Sequence, residues 1–274
     1  MYNLLKGKRG IITGALDENS IAWKVAEKSY EQGAEFILTN APMAMRLGEI
    51  KKLAEKTNSK IVPADATSND DIKNLFTQSQ EILGGKIDFL LHSIGMSINI
   101  RKKIPYTHSN YEYFLKGTDI SALSLHRMLS VAYEQDAISE WGSVVALTYI
   151  AAQRTLPFYT DMADIKAMLE SIVRNFGFHY GQHRKVRINS ISQSPTKTKA
   201  GSSIKGFGDF YDYAQAMSPL GNANAEDCAN YCITLFSDLT RKVTMQNLYH
   251  DGGFSSTGIT KEVMESLGGT LEEE

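Results

Sequence analysis

The chain has 274 residues, 42% of them hydrophobic, enough to bury one large core as a single domain. Its 29 basic and 31 acidic residues leave a formal charge of -2, which excludes the broad electrostatic attraction that draws proteins to nucleic acid or anionic membranes. No apolar run approaches the ~20 residues of a membrane helix, and the opening MYNLLKGKRGIITG has no charged-then-apolar leader, so a cytoplasmic protein is expected.

Gly10 to Thr13 form the first strand, and Gly14-Ala15 turn the chain through Leu16-Asp17-Glu18-Asn19 into a helix starting near Ser20. A strand, a glycine turn and a helix N-terminus offer backbone N–H groups to a pyrophosphate. The full G-x-G-x-x-G spelling is missing, since Ser20 and Ala22 stand where later glycines belong, and Ser20 also reads as a simple N-cap. The second strand, Glu35 to Thr39, ends at Asn40. A dinucleotide fold presents this position to the adenosine ribose, where a carboxylate favours NAD and a cation favours NADP. Asn40 is neither, and Arg46 lies nearby; the balance leans to NADH, with NADPH the alternative.

A helix over 46–57 and a strand from Lys60 to Ala64 follow, with Asp65-Ala66 at the strand's end. Asp65 suits an adenine amino group, although loop carboxylates are more often merely solvated. A helix from Asn69 to Leu83 leads through Gly84-Gly85 to the strand Ile87 to His92. Ser93-Ile94-Gly95 leave that strand, and Gly95 would let the backbone approach a flat ligand. Met96 to Asn110 reads as an irregular surface segment with Arg101-Lys102-Lys103 solvated. A long helix, Tyr113 to Asp136, returns the chain to a buried strand, Ser143 to Leu147, bounded by Trp141-Gly142.

From Tyr159 to Gly181 the pattern is helical. Tyr159 and Lys166, seven positions apart, would share one face, and a neighbouring ammonium favours the charged or hydrogen-bonded form of a phenol. The alternative is a core tyrosine and a solvated lysine. A strand from Val186 to Ser192 is followed by Gln193-Ser194-Pro195-Thr196-Lys197-Thr198 and by Lys199 to Met217, rich in Gly, Ser and aromatics such as Phe207, Phe210, Tyr211 and Tyr213. That composition suits a lid over an apolar cavity, spanning 195–217. Cys228 and Cys232 share one face of a helix from Ala225 to Phe236; with no Cys or His cluster to complete a metal set, they read as packing thiols and no metal is expected. The strand Gln246 to His250 closes the domain, and the acidic tail from Gly268 is expected to fray.

Strands alternating with helices imply one Rossmann-like α/β domain over residues 1–274, a doubly wound parallel sheet of about seven strands with helices on both faces. The candidate segments begin after Thr13, Thr39, Ala64, His92, Leu147 and Ser192, the edge of such a sheet where ligands bind.

Gly14 with Ser20-Ile21-Ala22, His92-Ser93-Ile94-Gly95, Tyr149, Tyr159 with Met162 and Lys166, Pro195 with Thr198, and the ending His250-Asp251-Gly252-Gly253-Phe254-Ser255 together resemble the bacterial enoyl-acyl carrier protein reductases of the FabI type. The resemblance covers nearly the whole chain in one order. Common short-chain dehydrogenases place Tyr four residues before Lys; that position here is Met162, which leaves Tyr159.

The resemblance implies NADH-dependent reduction of the trans-2 double bond of enoyl thioesters, the last step of the fatty acid elongation cycle. A 3-oxoacyl or other carbonyl reductase is the competing reading. It implies acyl carrier protein as partner and a homotetramer. Cofactor contacts carried over fall on Gly14, Ser20, Ile21, Asp65, Ala66, Ile94, Lys166, Thr196, Lys197, Thr198, Lys199 and Ala200, beside Asn40, Ser93 and Gly95 from the strand ends. Tyr149 and Tyr159 match active-site tyrosines and Ser97 a substrate contact, while Met96, Phe158, Met162 and lid aromatics such as Phe207 would line the acyl pocket. Two features depart from relatives. Asp161 and Asp164 stand beside the tyrosine, where helical geometry would turn both away from the Tyr159–Lys166 face and leave Asp161 to favour the helix start. In the lid, Lys205 is kept but Gly208, Asp209 and Asp212 stand where some relatives are basic.

Overall fold

The computed structural model describes residues 2–202 and 206–269. Seven strands form one parallel sheet in the order β3-β2-β1-β4-β5-β6-β7: β1 Arg9–Thr13, β2 Glu35–Thr39, β3 Lys60–Ile61, β4 Ile87–His92, β5 Ile138–Thr148, β6 Arg187–Gln193 and β7 Asn247–His250. The chain winds outward from β1 to β3, crosses back to β4 and then proceeds to β7, so the strand order reverses between β1 and β4. Such a reversal leaves a crevice at the carboxyl ends of the strands.

Alternation along the strands divides the core in two. Ile11, Ile37 and Val144 face one side, where they meet α4 (Asn69–Leu83), α7 (Ser124–Glu134) and α8 (Met162–Arg184). Ile12, Leu38 and Val145 face the other, against α1 (Ile21–Glu31), α3 (Ile50–Lys56) and α11 (Ala225–Phe236). Cys228 and Cys232 are wholly buried in this second layer. No described helix is long and apolar enough to cross a membrane.

Several expected boundaries move. The helix over 46–57 is two helices, α2 (Pro42–Leu47) and α3, because extended Gly48 brings the chain against the first turn: a Cβ there would lie 2.7 Å from the Leu16 carbonyl oxygen, which accepts from Glu49 N. Pro63 cuts β3 short of Ala64. The surface segment before Asn110 contains the short helix α5 (Ile98–Arg101). The long helix runs from Tyr111 as α6 (Tyr111–Thr118), one π-helical turn (Asp119–Leu123) and α7. β5 begins five residues early, passing through Trp141 at φ +66°. The lid stretch holds α9 (Lys199–Ser202) and α10 (Phe207–Met217), and α12 (Lys261–Ser266) follows β7; Lys205 and residues 270–274 of the tail lie outside the described residues.

Candidate active site

Gly14 follows β1 at φ +85°, and a Cβ on it would lie 1.9 Å from the carbonyl oxygen of Ser93, so only glycine lets the ends of β1 and β4 approach this closely. Ser20 occupies the N-cap of α1, but its hydroxyl does not cap the helix. It donates to Asp17 O at 2.6 Å and accepts from Leu16 N at 3.2 Å, bracing the turn from within. Asn40 uses both ends of its amide on backbone, donating to Ala15 O and accepting from Ala41 N, so it ties β2 to the same turn. Asp65 is exposed and accepts from Thr67, with Ala66 buried beside it. Lys199 reaches back from α9 to Asp17 at 2.9 Å, and a cavity of about 270 Å³ opens between them. These backbone-lined ends, pinched at Gly14 and opening onto a helix N-terminus, fit an elongated dinucleotide with a pyrophosphate at the turn.

Gly95 is exposed at the exit of β4. A Cβ there would lie 3.3 Å from Met162 Cε and 3.8 Å from Lys166 Nζ, so its bare backbone leaves a flat shelf beside the lysine. The Lys166 ammonium is buried and donates to Leu147 O, at the end of β5, at 2.7 Å. Burial brings its pKa down to about 8, opposed by the Glu170 carboxylate one turn further along α8. Glu170 is itself buried and accepts from Thr148 Oγ1 at 2.9 Å and Gln153 Nε2 at 3.0 Å. His92, which sequence reasoning assigned no role, lies buried below: burial, and then the Lys166 charge, push its pKa down to about 3. Ser124 donates to Ile120 O, so it accepts from His92 Nε2–H at 2.8 Å.

Two residues beyond Leu147, the Tyr149 ring packs on Tyr159 with centroids 5.0 Å apart. Phe210 of α10 closes over them, 6.4 Å from Tyr149 and 4.9 Å from Phe158. The Tyr159 side chain is only partly covered, but the burial around the two rings holds both phenols well above the ordinary tyrosine range. The acidifying effect expected of a neighbouring lysine does not act on either phenol, and both remain proton donors. Tyr159 is also not in the helix. α8 starts at Met162, and Tyr159 sits in the preceding turn, its N–H donating to Leu156 O and its carbonyl accepting from Met162 N. What brings Tyr159 and Lys166 to one place is therefore the end of β5: the lysine bonds Leu147 and the tyrosine ring packs on Tyr149.

A family model described as enoyl-(acyl carrier protein) reductase matches residues 14–255. The chain belongs to that family. An enoyl-[acyl-carrier-protein] reductase [NADH] FabI of Rickettsia bellii is 34% identical over 262 residues, covering 95% of this chain and 98% of that protein. A FabI–NADH complex from Alistipes finegoldii is 60% identical with a TM-score of 0.95, covering 97% of this chain and 94% of that one. The Bacillus cereus enoyl-acyl carrier protein reductase, solved with NADP+ and indole naphthyridinone, is 28% identical with a TM-score of 0.87, covering 93% and 99%.

The structure of this reductase-family chain corrects the expectation for Asp161. Its carboxylate is fully buried rather than turned toward the helix start, and it makes no cap hydrogen bond. Oδ1 accepts from Ser97 Oγ at 2.7 Å and Thr160 Oγ1 at 3.0 Å, and Oδ2 accepts from Asn99 Nδ2 at 2.7 Å. Ser97 is correspondingly buried, its hydroxyl also capping α5 by accepting from Ile100 N. Met96 beside it is half-buried and held by the Ser121 hydroxyl of the π-helical turn. Thr160, between Tyr159 and Asp161, has φ +40°, a region that a β-branched residue rarely adopts.

Beyond β6, Pro195 is buried, Thr196 Oγ1 donates to Ser194 O, and Thr198 Oγ1 accepts from Gly201 N. Lys197 lies 4.1 Å from the Tyr211 ring centroid, and Phe207 packs near Tyr211 with centroids 6.1 Å apart, joining the strand exit to α10. Among the described residues no group of His, Cys, Asp or Glu could hold a metal ion.

Proposed function

We propose that this chain is an NADH-dependent enoyl-acyl carrier protein reductase, acting on the trans-2 double bond of enoyl thioesters in the last step of fatty acid elongation. The observation that carries the reading is the cluster at the end of β5, where the buried Lys166 ammonium bonds Leu147 and a proton-holding Tyr159 packs on Tyr149. NADH, when bound, supplies a hydride to the β-carbon. Negative charge then collects on the thioester oxygen, and Tyr159, held protonated, donates a hydrogen bond that strengthens as that charge grows, until the α-carbon takes up a proton from solvent and the saturated thioester is complete. Lys166 supplies positive potential from beneath the Gly95 shelf and a donor for ribose hydroxyls. Glu170 supports that charge from one turn away.

The cofactor would lie along Gly14, Ser20, Ile21, Asn40, Asp65, Ala66, Ser93, Ile94 and Gly95, with Lys166 and the segment Thr196, Lys197, Thr198, Lys199 and Ala200 closing over it. The glycine pinch and the exposed Gly95 backbone support this path. The NADH choice is supported by the names of the Rickettsia relative and the Alistipes complex. It also fits Asn40, which places neither a carboxylate nor a cation at the end of β2.

Residues 195–217 act as the lid over the acyl chain, with Met96, Tyr149, Phe158, Met162 and Phe207 lining the apolar side. The packing of Phe210 on Phe158 and Tyr149 supports that assignment. With the Ser97 hydroxyl committed to Asp161, any substrate contact there falls to its other atoms. Acyl carrier protein presents the substrate, and a cytoplasmic homotetramer is the working assembly; exposed Tyr111 and Leu115 on α6 and Met168 and Phe178 on α8 supply apolar faces for it. Oxidation of NADH against NADPH with crotonyl and acetoacetyl thioesters tests the reading: turnover confined to acetoacetyl thioester would assign a carbonyl reductase instead.

A further inference from the structure

Tyr159 lies outside α8, so helix geometry alone does not aim its hydroxyl. Its orientation depends on the two residues that join it to the helix, and the first of these, Thr160, holds a left-handed backbone that its branched side chain disfavours. The second, Asp161, is fully buried and accepts three hydrogen bonds. One donor is the Thr160 hydroxyl itself. The other two, Ser97 and Asn99, belong to the segment that leaves Gly95, and Asn99 also exchanges hydrogen bonds with the backbone of Asn110 at the start of α6. No salt-bridge partner reaches Asp161 among the described residues, so those donors carry the whole task of satisfying a buried carboxylate.

We propose that Asp161 is a positioning residue for the reduction: its carboxylate locks Thr160 in the left-handed turn that aims the Tyr159 hydroxyl, and fixes that turn to the shelf at Gly95. The proposal rests on the reading of Tyr159 as the hydrogen-bond donor to the thioester oxygen. A carboxylate is required because both oxygens must accept. An amide presents one acceptor and turns a donor toward Asn99 Nδ2 or toward the two hydroxyls. The effect falls on Tyr159, not on the dinucleotide path, so turnover and cofactor affinity separate.

The test uses Asp161→Asn, Thr160→Gly and the double variant, with Ser97→Ala as a milder loss of one donor. Three readouts apply: kcat with crotonyl thioester, NADH affinity by fluorescence titration, and amide hydrogen exchange of the cofactor-free protein. Asp161→Asn should lower kcat about tenfold or more with NADH affinity within about twofold of wild type. Exchange should quicken at 97–101 and 159–163 together. Thr160→Gly, which adopts positive φ freely but gives up one donor to Asp161, should lower kcat no more than Ser97→Ala does and restore about threefold or more of the activity lost in Asp161→Asn. Ser97→Ala should shift kcat in the same direction by less. Unchanged kcat and exchange in Asp161→Asn would overturn the proposal, as would a parallel fall in kcat and NADH affinity that Thr160→Gly does not relieve. An inactive wild-type protein would count against the functional reading, while the exchange measurement would still decide whether Asp161 holds the turn.

Discussion

Glu170 stands one helical turn beyond Lys166 on α8, buried like it, and its carboxylate opposes the fall in the lysine pKa that burial imposes. The pair sits directly behind the strand end where Tyr149 and Tyr159 meet, so the charge state of Lys166 at working pH depends on Glu170.

The alkaline limb of kcat/KM should therefore report Lys166. With its pKa at about 8, the cationic form is lost as pH rises through that value, and activity should fall above it. Glu170→Gln removes the charge that raises this pKa, so the limb should move to lower pH; a limb that stays fixed or moves up would separate it from Lys166.

Burying the ammonium also costs stability. Between its folded value of about 8 and its ordinary value of 10.5, the unfolded chain binds more protons, so the Lys166 contribution makes stability rise with pH across that window and leaves the full cost below it. The drop corresponds to about 3 kcal/mol, and a methionine would forfeit about 1 kcal/mol at the Leu147 carbonyl. Lys166→Met should thus be inactive yet more stable by about 2 kcal/mol at neutral pH, an advantage that shrinks as pH rises from 8 toward 10.5. Thermal melts of both proteins across that range would show it.

Gly14→Ala should abolish cofactor binding. The added carbon would lie 1.9 Å from the Ser93 carbonyl oxygen on backbone at φ +85°, so the β1 and β4 exits must separate. Fluorescence titration with NADH should show no saturable binding, and retained affinity would place the dinucleotide elsewhere.

Elements whose caps are local were legible from sequence. The helix Asn69–Leu83 begins where Ser68 accepts from Asp71 N and ends at left-handed Gly84, and Ala225–Phe236 opens with a capping box between Asn224 and Asp227. β2 and β4 read correctly as apolar runs bounded by turns. The start of α8 did not, because Tyr159-Thr160-Asp161 continues a helical pattern and only partners 62 and 64 positions away, Asn99 and Ser97, hold it in a turn. The π-helical turn is hidden for the same reason: its Ser121 bonds the backbone of Met96, 25 residues earlier. The tyrosine and lysine were read as a pair through a spacing that the fold does not use. Their meeting point is the end of β5, and neither Glu170, which raises the Lys166 pKa, nor His92, whose own pKa burial and that ammonium push down, gave a signal as an isolated residue.

Tyr159→Phe tests the chemistry itself. Loss of one donor to a developing oxyanion typically costs about 2.7 to 4 kcal/mol. NADH oxidation with crotonyl thioester should therefore fall by about a hundredfold or more relative to wild type, with the melting temperature and NADH affinity preserved. Near-normal turnover in that variant would remove Tyr159 from the reaction and contradict the account.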